Sequence, residues 1–409
     1  MLPDGWTRSK LKFSGISVID GDRGNAYPNG DDFSSEGYCL FLSAKNVTKF
    51  GFVFDERQFI SQAKHRALRK GAVLKGDIVL TTRGTVGNIG YFINDTLFAA
   101  VRINSGMVVL RNENAKLDSA FLYLVLRSPL IEKQVEQMNF GSAQPQLTVQ
   151  IINNFILPHP PIAEQRRIAE ILSTWDRAIA VQERLVANAR AQKKALMQTL
   201  LTGTKKRLPG FKGEWQRLSF EEVFKVDNEK KTQVQKTQYK ALGRTPIVDQ
   251  GQDFIVGYTD QDETYESVPA IIFGDHTRII KWIDFPFCPG ADGTQILKST
   301  PHIQLQFAFY LLLSADIPNL GYSRHMRALK ELTFNVPPDR HEQEKLTELL
   351  AAAEDQNHKH ETALRQLVAE KSALMQQLLT GKRRVKVEAV EPDLENQNPR
   401  LAKERSNGN

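Results

Sequence analysis

The side chains best placed for chemistry in this sequence are cations and amides. In QAKHRALRKGAVLKG, Lys64, His65, Arg66, Arg69, Lys70 and Lys75 fall within a dozen positions. Clustered cations of this kind neutralise phosphates and make binding salt-sensitive; the bland alternative is a solvated charged face. Lys45 and Asn46 in SAKNVTKFG, and Arg83 in the Gly-rich TTRG turn, have types that read base edges. Asn suits adenine, and Arg or Lys suits guanine. Farther along, GDHTRIIKW offers His276, Thr277, Arg278 and Lys281.

Catalytic signatures are missing beside these groups. There is no GxxxxGK[ST] phosphate loop and no GxGxxG run opening a helix. A self-sufficient adenine methyltransferase would carry an NPPY-like motif. The nearest stretch, NVPPD at 335–339, has an extra Val and no aromatic. The acidic residues of PDRHEQEK (338–345) lie within two helical turns and read as a solvated cluster at a helix start. His358 and His360 are two apart on a helix, a poor metal pair. Cys39 and Cys288 read as free buried thiols of a reducing cytoplasm.

A chain of 409 residues with 41% hydrophobic and 25% charged composition suits a soluble protein of several domains. Neither the N-terminus nor the apolar runs AFLYLVL and FAFYLLL are long enough to span a bilayer. The net charge is +7, distributed as +4 over 1–157, +6 over 158–207, −2 over 208–335 and −1 over 336–409. Nucleic acid would therefore be held by local patches.

What must position those patches is a duplication. ALMQTLLTG (195–203) returns as ALMQQLLTG (373–381), 178 positions on. At the same offset AEQRRIAEIL (163–172) faces HEQEKLTELL (341–350), each after a proline pair. A heptad seam runs through Ile168, Leu172, Trp175, Ile179, Gln182, Val186, Ala189, Lys193, Leu196 and Leu200. Its copy runs through Leu346, Leu350, Ala353, Asn357, His360, Leu364, Leu367, Lys371, Leu374 and Leu378. Steps alternating four and three predict two helices of about 40 residues, roughly 60 Å each. Antiparallel pairing would set Gln182 beside His360 and bring Gly203 near Asp339. Asp339 with Glu342 is expected to form a capping-box-like pair, Gly203 and Gly381 to close the helices, and the basic runs to favour the helix dipoles.

Each helix follows a segment of α/β character. KGDIVLTTRGTVGNIGYF (75–92) reads as a β-hairpin or bulged strand pair, with VPAIIFGDHTRIIKWIDF (268–285) as its counterpart. Phe98 and Gly106 match Phe285 and Gly293, and helices follow at 120–128 and 306–314. The organisation expected is an α/β domain over 1–157, a helix and linker over 158–207, a second α/β domain over 208–335, a helix over 336–382 and a disordered tail over 383–409.

These features resemble the specificity (S) subunit of type I DNA restriction-modification systems. PPIAEQRRIAEIL with its echo PPDRHEQEKLTELL, the ALMQ-LLTG helix ends, GDIVLTTRGTVG and FGSAQPQLT (140–148) carry the resemblance over roughly 1–382. It implies two target-recognition domains held apart by an antiparallel coiled coil, each reading half of a bipartite double-stranded DNA site. It also implies two modification (methyltransferase) subunits docked on the helices, restriction (translocase-nuclease) subunits in the larger complex, and no catalytic site, cofactor or metal on this chain. S-adenosylmethionine, ATP and Mg would belong to the partners. The resemblance adds Tyr322, Ser323, Arg324 and His325 in GYSRHMRAL, and Gln144 and Gln146 in GSAQPQLT, as DNA-binding candidates. Both stretches would serve equally as polar connections packed against a helix. The rival readings are a self-sufficient methyltransferase or nuclease, and a coiled-coil scaffold without a DNA role.

Overall fold

The computed structural model describes residues 3–93, 97–114, 116–138, 146–202, 207–291, 293–321 and 323–387. Gln144, Gly203, Tyr322 and most of the tail lie outside them. The chain forms two compact units, Met1–Ala180 with Arg365–Asn409, and Val181–Leu364. Each unit takes one α/β segment and half of each long helix.

In the first unit, Ile16–Asp20, Met107–Asn112, Ile78–Thr81 and Ile89–Tyr91 form an antiparallel sheet in that order. Period-two alternation gives its central strands two apolar faces. Ile78, Leu80, Val108 and Leu110 pack on Phe121, Leu122, Leu124 and Val125 of the helix Ser119–Leu126. Val79 and Val109 turn the other way, onto Leu40, Leu42, Val101 and Ile103 of a second sheet. That sheet runs Phe59–Ile60, Cys39–Leu42, Ala100–Ile103, Ala72–Val73, with its two central strands parallel. A ribbon of Thr7–Lys10 against Ile156–His159 closes the domain, so the boundary read at 157 falls inside its last strand.

The second unit repeats this plan. Phe224–Val226, Thr294–Ser299, Ala270–Gly274 and Ile280–Ile283 are again antiparallel in that order. Ile271, Phe273 and Leu297 face Phe307 and Leu311 of the helix Leu305–Ser314. Ile272 and Ile296 face Val248, Tyr265 and Phe287. Thr245–Val248 runs parallel to Cys288–Pro289, and Gln216–Ser219 with Thr333–Val336 forms the closing ribbon. The expected hairpins at 75–92 and 268–285 are both present. Both cysteines are buried and free.

The long helices are Ile162–Leu200 and Arg340–Leu379. Within each unit they pair antiparallel. In the first, Lys371 Nζ meets Asp176 Oδ1 at 2.5 Å. In the second, Lys193 bonds Glu354, and Gln182 Nε2 donates to the His360 carbonyl at 2.9 Å. The two lysines of the predicted seam are thus each neutralised by an acid from the facing helix. Asp176 and Glu354 are themselves 178 apart.

The helix starts differ from expectation. Asp339 caps through its own carboxylate, which accepts from His341 N at 2.9 Å. Glu342 closes no box; it is 0% exposed and takes Arg207 Nε and Nη2 at 3.0 and 2.7 Å. Its counterpart Glu164 accepts from Arg384 Nε and Nη2 at 2.7 and 2.8 Å, and from Trp6 Nε1 at 3.0 Å. A buried carboxylate gains more from a bidentate guanidinium than from one backbone N–H. The basic runs after each helix therefore supply a partner for these carboxylates. Beside them, Gln165 and Gln343 each span a helix start. Gln165 accepts from Asp118 N and donates to the Lys116 and Pro160 carbonyls. Gln343 accepts from Gln304 N and donates to the His302 and Pro337 carbonyls. Gly381 ends its helix at φ 74°, as expected of a left-handed closing residue. No helix among the described residues is long and apolar enough to cross a membrane.

Candidate nucleic-acid interface

In each domain, four connections meet at one end of the sheets. In the first they are residues 43–58, the hairpin turn 82–88, the turn 104–106 and the segment from 146. Thr82 N and Arg83 N donate to the Gly106 carbonyl at 2.8 and 3.2 Å, and Leu147 N donates to the Thr82 carbonyl at 3.2 Å. Asn88 Nδ2 reaches the Val47 carbonyl at 2.9 Å. In the second they are the described residues of 249–256, 275–279, 290–291 with 293, and 317–321 with 323–325. Asp275 N donates to the Gly293 carbonyl at 2.7 Å, and His325 N to the Asp275 carbonyl at 2.8 Å. Gln250 accepts from His276 N through its side chain (3.0 Å) and from Thr277 Oγ1 through its carbonyl (2.6 Å). Gly293 (φ 64°) is required there, because a Cβ would press on the Gln250 amide. Leu147 matches His325 in this scheme, so Gln146 matches Arg324.

The sequence-derived candidates divide into those that build this face and those exposed on it. Asn46 is 3% exposed; its oxygen accepts from Ser43 N and Oγ, and its amide donates to the Val53 and Glu56 carbonyls. With every polar atom engaged, Asn46 shapes the connection and has nothing to offer a base edge. Lys281, 6% exposed, donates to the Asp249 and Asp253 carbonyls at 2.7 and 2.6 Å. Burial pushes its pKa down. It clamps the 249–253 loop. His325 is 1% exposed, with Nδ1 against the Asp275 carbonyl and Nε2 accepting from Leu320 N. It ties two connections together. Arg278 adopts φ 59° and donates to the Ile317 carbonyl at 3.0 Å, joining the same two connections.

Arg83, Gln146, Thr277, Ser323 and Arg324 are exposed on the faces, and His276 is half-buried between Gln250 and Thr277. Lys45 is exposed but bonded to Glu56 at 2.7 Å. Arg83 and Gln146, chosen separately from the sequence, are partners. With its amide oxygen turned to the guanidinium, the orientation that sets donors against an acceptor, Gln146 accepts from Arg83 Nε and Nη2 at 3.0 Å each.

The 64–70 patch lies on the short helix Gln62–Ala67 and the residues after it. Lys64 is paired with Asp32 at 2.8 Å. His65 Nδ1 accepts from Arg102 Nε at 3.1 Å; burial first, then Arg102 and Arg66, lower its pKa. Arg66, Arg69 and Lys70 are exposed. Arg69 and Lys70 share a cavity of about 230 Å³ with Arg23, Asp20 and Asp22. Arg23 is paired with Asp20 at 3.1 Å, and its Nη2 also donates to the Ser105 carbonyl at 3.2 Å, which joins this mixed-charge strip to the edge of the four-connection face. Neither Arg23 nor Gln250 is distinguishable by sequence from its polar neighbours.

The geometry defines a class: a protein with two α/β domains of one plan, each presenting a differently decorated loop face, on paired helices that repeat. Comparison with known proteins agrees. The family model for the type I restriction modification DNA specificity domain matches residues 4–188. The type I restriction enzyme MjaVIII specificity subunit of Methanocaldococcus jannaschii is 28% identical over 207 residues, 49% of this chain and 47% of that protein. The match thus spans about half the length of that relative. The putative MjaX specificity subunit of the same organism is 23% identical over 83% of this chain and 84% of its own length. Among solved structures, the type I restriction-modification S subunit from M. genitalium superposes with a TM-score of 0.60 at 16% identity, covering 91% of this chain and 96% of that one. A chain from a structure of type I R-M complex assembly and conformational transition gives 0.56 at 18% identity, covering 94% and 100%. Residues 4–188 are thus similar to the type I restriction modification DNA specificity domain, and the chain shares the fold of the solved S subunit.

Proposed function

We propose that each domain reads one half of a bipartite, asymmetric DNA site through its four-connection face, and that the helices dock two methyltransferase subunits. The observation that carries this reading is the repetition of one loop face with different side chains. Arg83 and Gln146 stand where the second domain has His276 and Arg324. Equivalent scaffolds with unlike polar groups are what reading two different half-sites requires, because base identity is set by donor and acceptor pattern. The conserved offset of the helices, including the Lys371–Asp176 and Lys193–Glu354 pairs, offers two copies of one partner equivalent seats. In this reading the chain positions chemistry that its partners perform with S-adenosylmethionine, ATP and Mg. Restriction subunits join the same assembly.

The test is footprinting of duplex DNA with the chain and its partner methyltransferase. Two separate protected patches are expected, and one patch or none would overturn the reading. Methyl transfer from labelled S-adenosylmethionine by the isolated chain would support the methyltransferase alternative instead.

A further inference from the structure

We propose that Arg83, held by Gln146, reads a guanine in the half-site bound by the first domain. The inference rests on the bipartite reading above and assigns it a base. Gln146 engages Nε and one hydrogen of Nη2, both at 3.0 Å. That fixes the guanidinium plane and leaves the opposite edge, with parallel hydrogens on Nη1 and Nη2, free to donate. Two parallel donors match the O6 and N7 acceptors of guanine in the major groove.

Both residues leave pinned backbone. Arg83 N is bonded to the Gly106 carbonyl, and Leu147 N to the Thr82 carbonyl. The pair therefore sits at the junction of three of the four connections.

The partner's chemistry argues for a base over a phosphate. Lys45 and Lys64 are neutralised by Glu56 and Asp32. Gln146 is uncharged, so it orients Arg83 without cancelling its charge. Orientation fixed before binding lowers the entropy lost on forming a bidentate contact. A phosphate, reachable from many directions, gains less from it. In the second domain the corresponding positions hold His276 and Arg324, which cannot form this amide–guanidinium pair. The device belongs to one half-site.

The experiment measures binding of the full chain, with its partner methyltransferase, to footprinted duplexes in which each guanine in turn is 7-deazaguanine. This base lacks the N7 acceptor. One guanine in one half should be sensitive, with a measurable loss that is smaller than a whole bidentate contact because O6 still accepts one of the two bonds. Arg83→Ala should lose more on the natural site, roughly 5- to 100-fold, the usual worth of a bidentate contact, and become indifferent to that substitution. Gln146→Ala should give a smaller loss at the same base, and Arg83→Lys should retain the contact only in part, because an ammonium can reach O6 or N7 but has no planar fork for Gln146 to orient. Unchanged circular-dichroism melts would show that fold is not the cause. The inference is overturned if Arg83→Ala weakens all sequences equally and lowers the salt slope by about one, the mark of a phosphate contact. It is overturned equally if two protected patches form but guanine discrimination is unaltered. A footprint without two patches would instead sink the bipartite reading.

Discussion

Arg207→Ala should loosen the start of the second long helix. Glu342 is fully buried, and both of its oxygens are held by Arg207, whose side chain is only 20% exposed. Removing one partner of a buried pair strands the other charge, at about 3–5 kcal/mol. The partial exposure of Arg207 admits water to the site, so the lower end, about 3 kcal/mol, applies. That corresponds to roughly a 100-fold rise in local opening. Hydrogen exchange of the amides from Glu342 to Leu350 reads it directly. The start of the first long helix, where Arg384 and Glu164 are untouched, is the internal control. Adding Glu342→Met should recover most of the protection, because replacing a buried pair by apolar groups is often neutral. An exposed pair such as Lys45–Glu56 would give at most about 1 kcal/mol. A change below about threefold in Arg207→Ala, or a double variant no better than the single, would refute the assignment of a buried, coupled pair.

Three further outcomes follow from the same geometry. Gln165→Ala and Gln343→Ala each abolish one bond to a backbone N–H and two to carbonyls, so each should cost about 1–3 kcal/mol, read as a lowered melting temperature. Asp22 is pulled down to about 2 by the Gly24 and Arg69 N–H groups. A depressed carboxylate contributes stability above its ordinary pKa of 3.8 and loses it as pH falls through about 2; Asp22→Asn should therefore flatten the acid decline between these values in a pH series of melts. Burial pushes the Cys39 thiol up to about 12 and raises Cys288 as well. Neither should react with iodoacetamide at pH 8 in the native protein, and both should react in urea.

The helices were legible because a seam of Leu and Ile at heptad spacing has one physical meaning, and Gln182 beside His360 followed from register alone. The acids that neutralise Lys193 and Lys371 were not, since Asp176 and Glu354 look like any solvated helix residue until the facing helix is in place. Glu164-Gln165 and Glu342-Gln343 stood in the repeated EQ dipeptide, but a buried carboxylate and an exposed one have the same letter. The loop faces were half legible. Residue type and the family resemblance together picked out Arg83, Gln146 and Arg324, which are exposed, and equally picked out Asn46, Lys281 and His325, which are buried in loop-forming bonds. Burial and hydrogen-bond saturation depend on connections that meet only in three dimensions.

The central claim is that each domain reads its own half-site. Replacing residues 208–335 by the corresponding segment of a relative with a different target, and mapping methylated sites across a host genome with the partner methyltransferase, tests it most directly. The account predicts that one half of the recognised sequence changes and the other stays as it was. A change in both halves, or in neither, would contradict it.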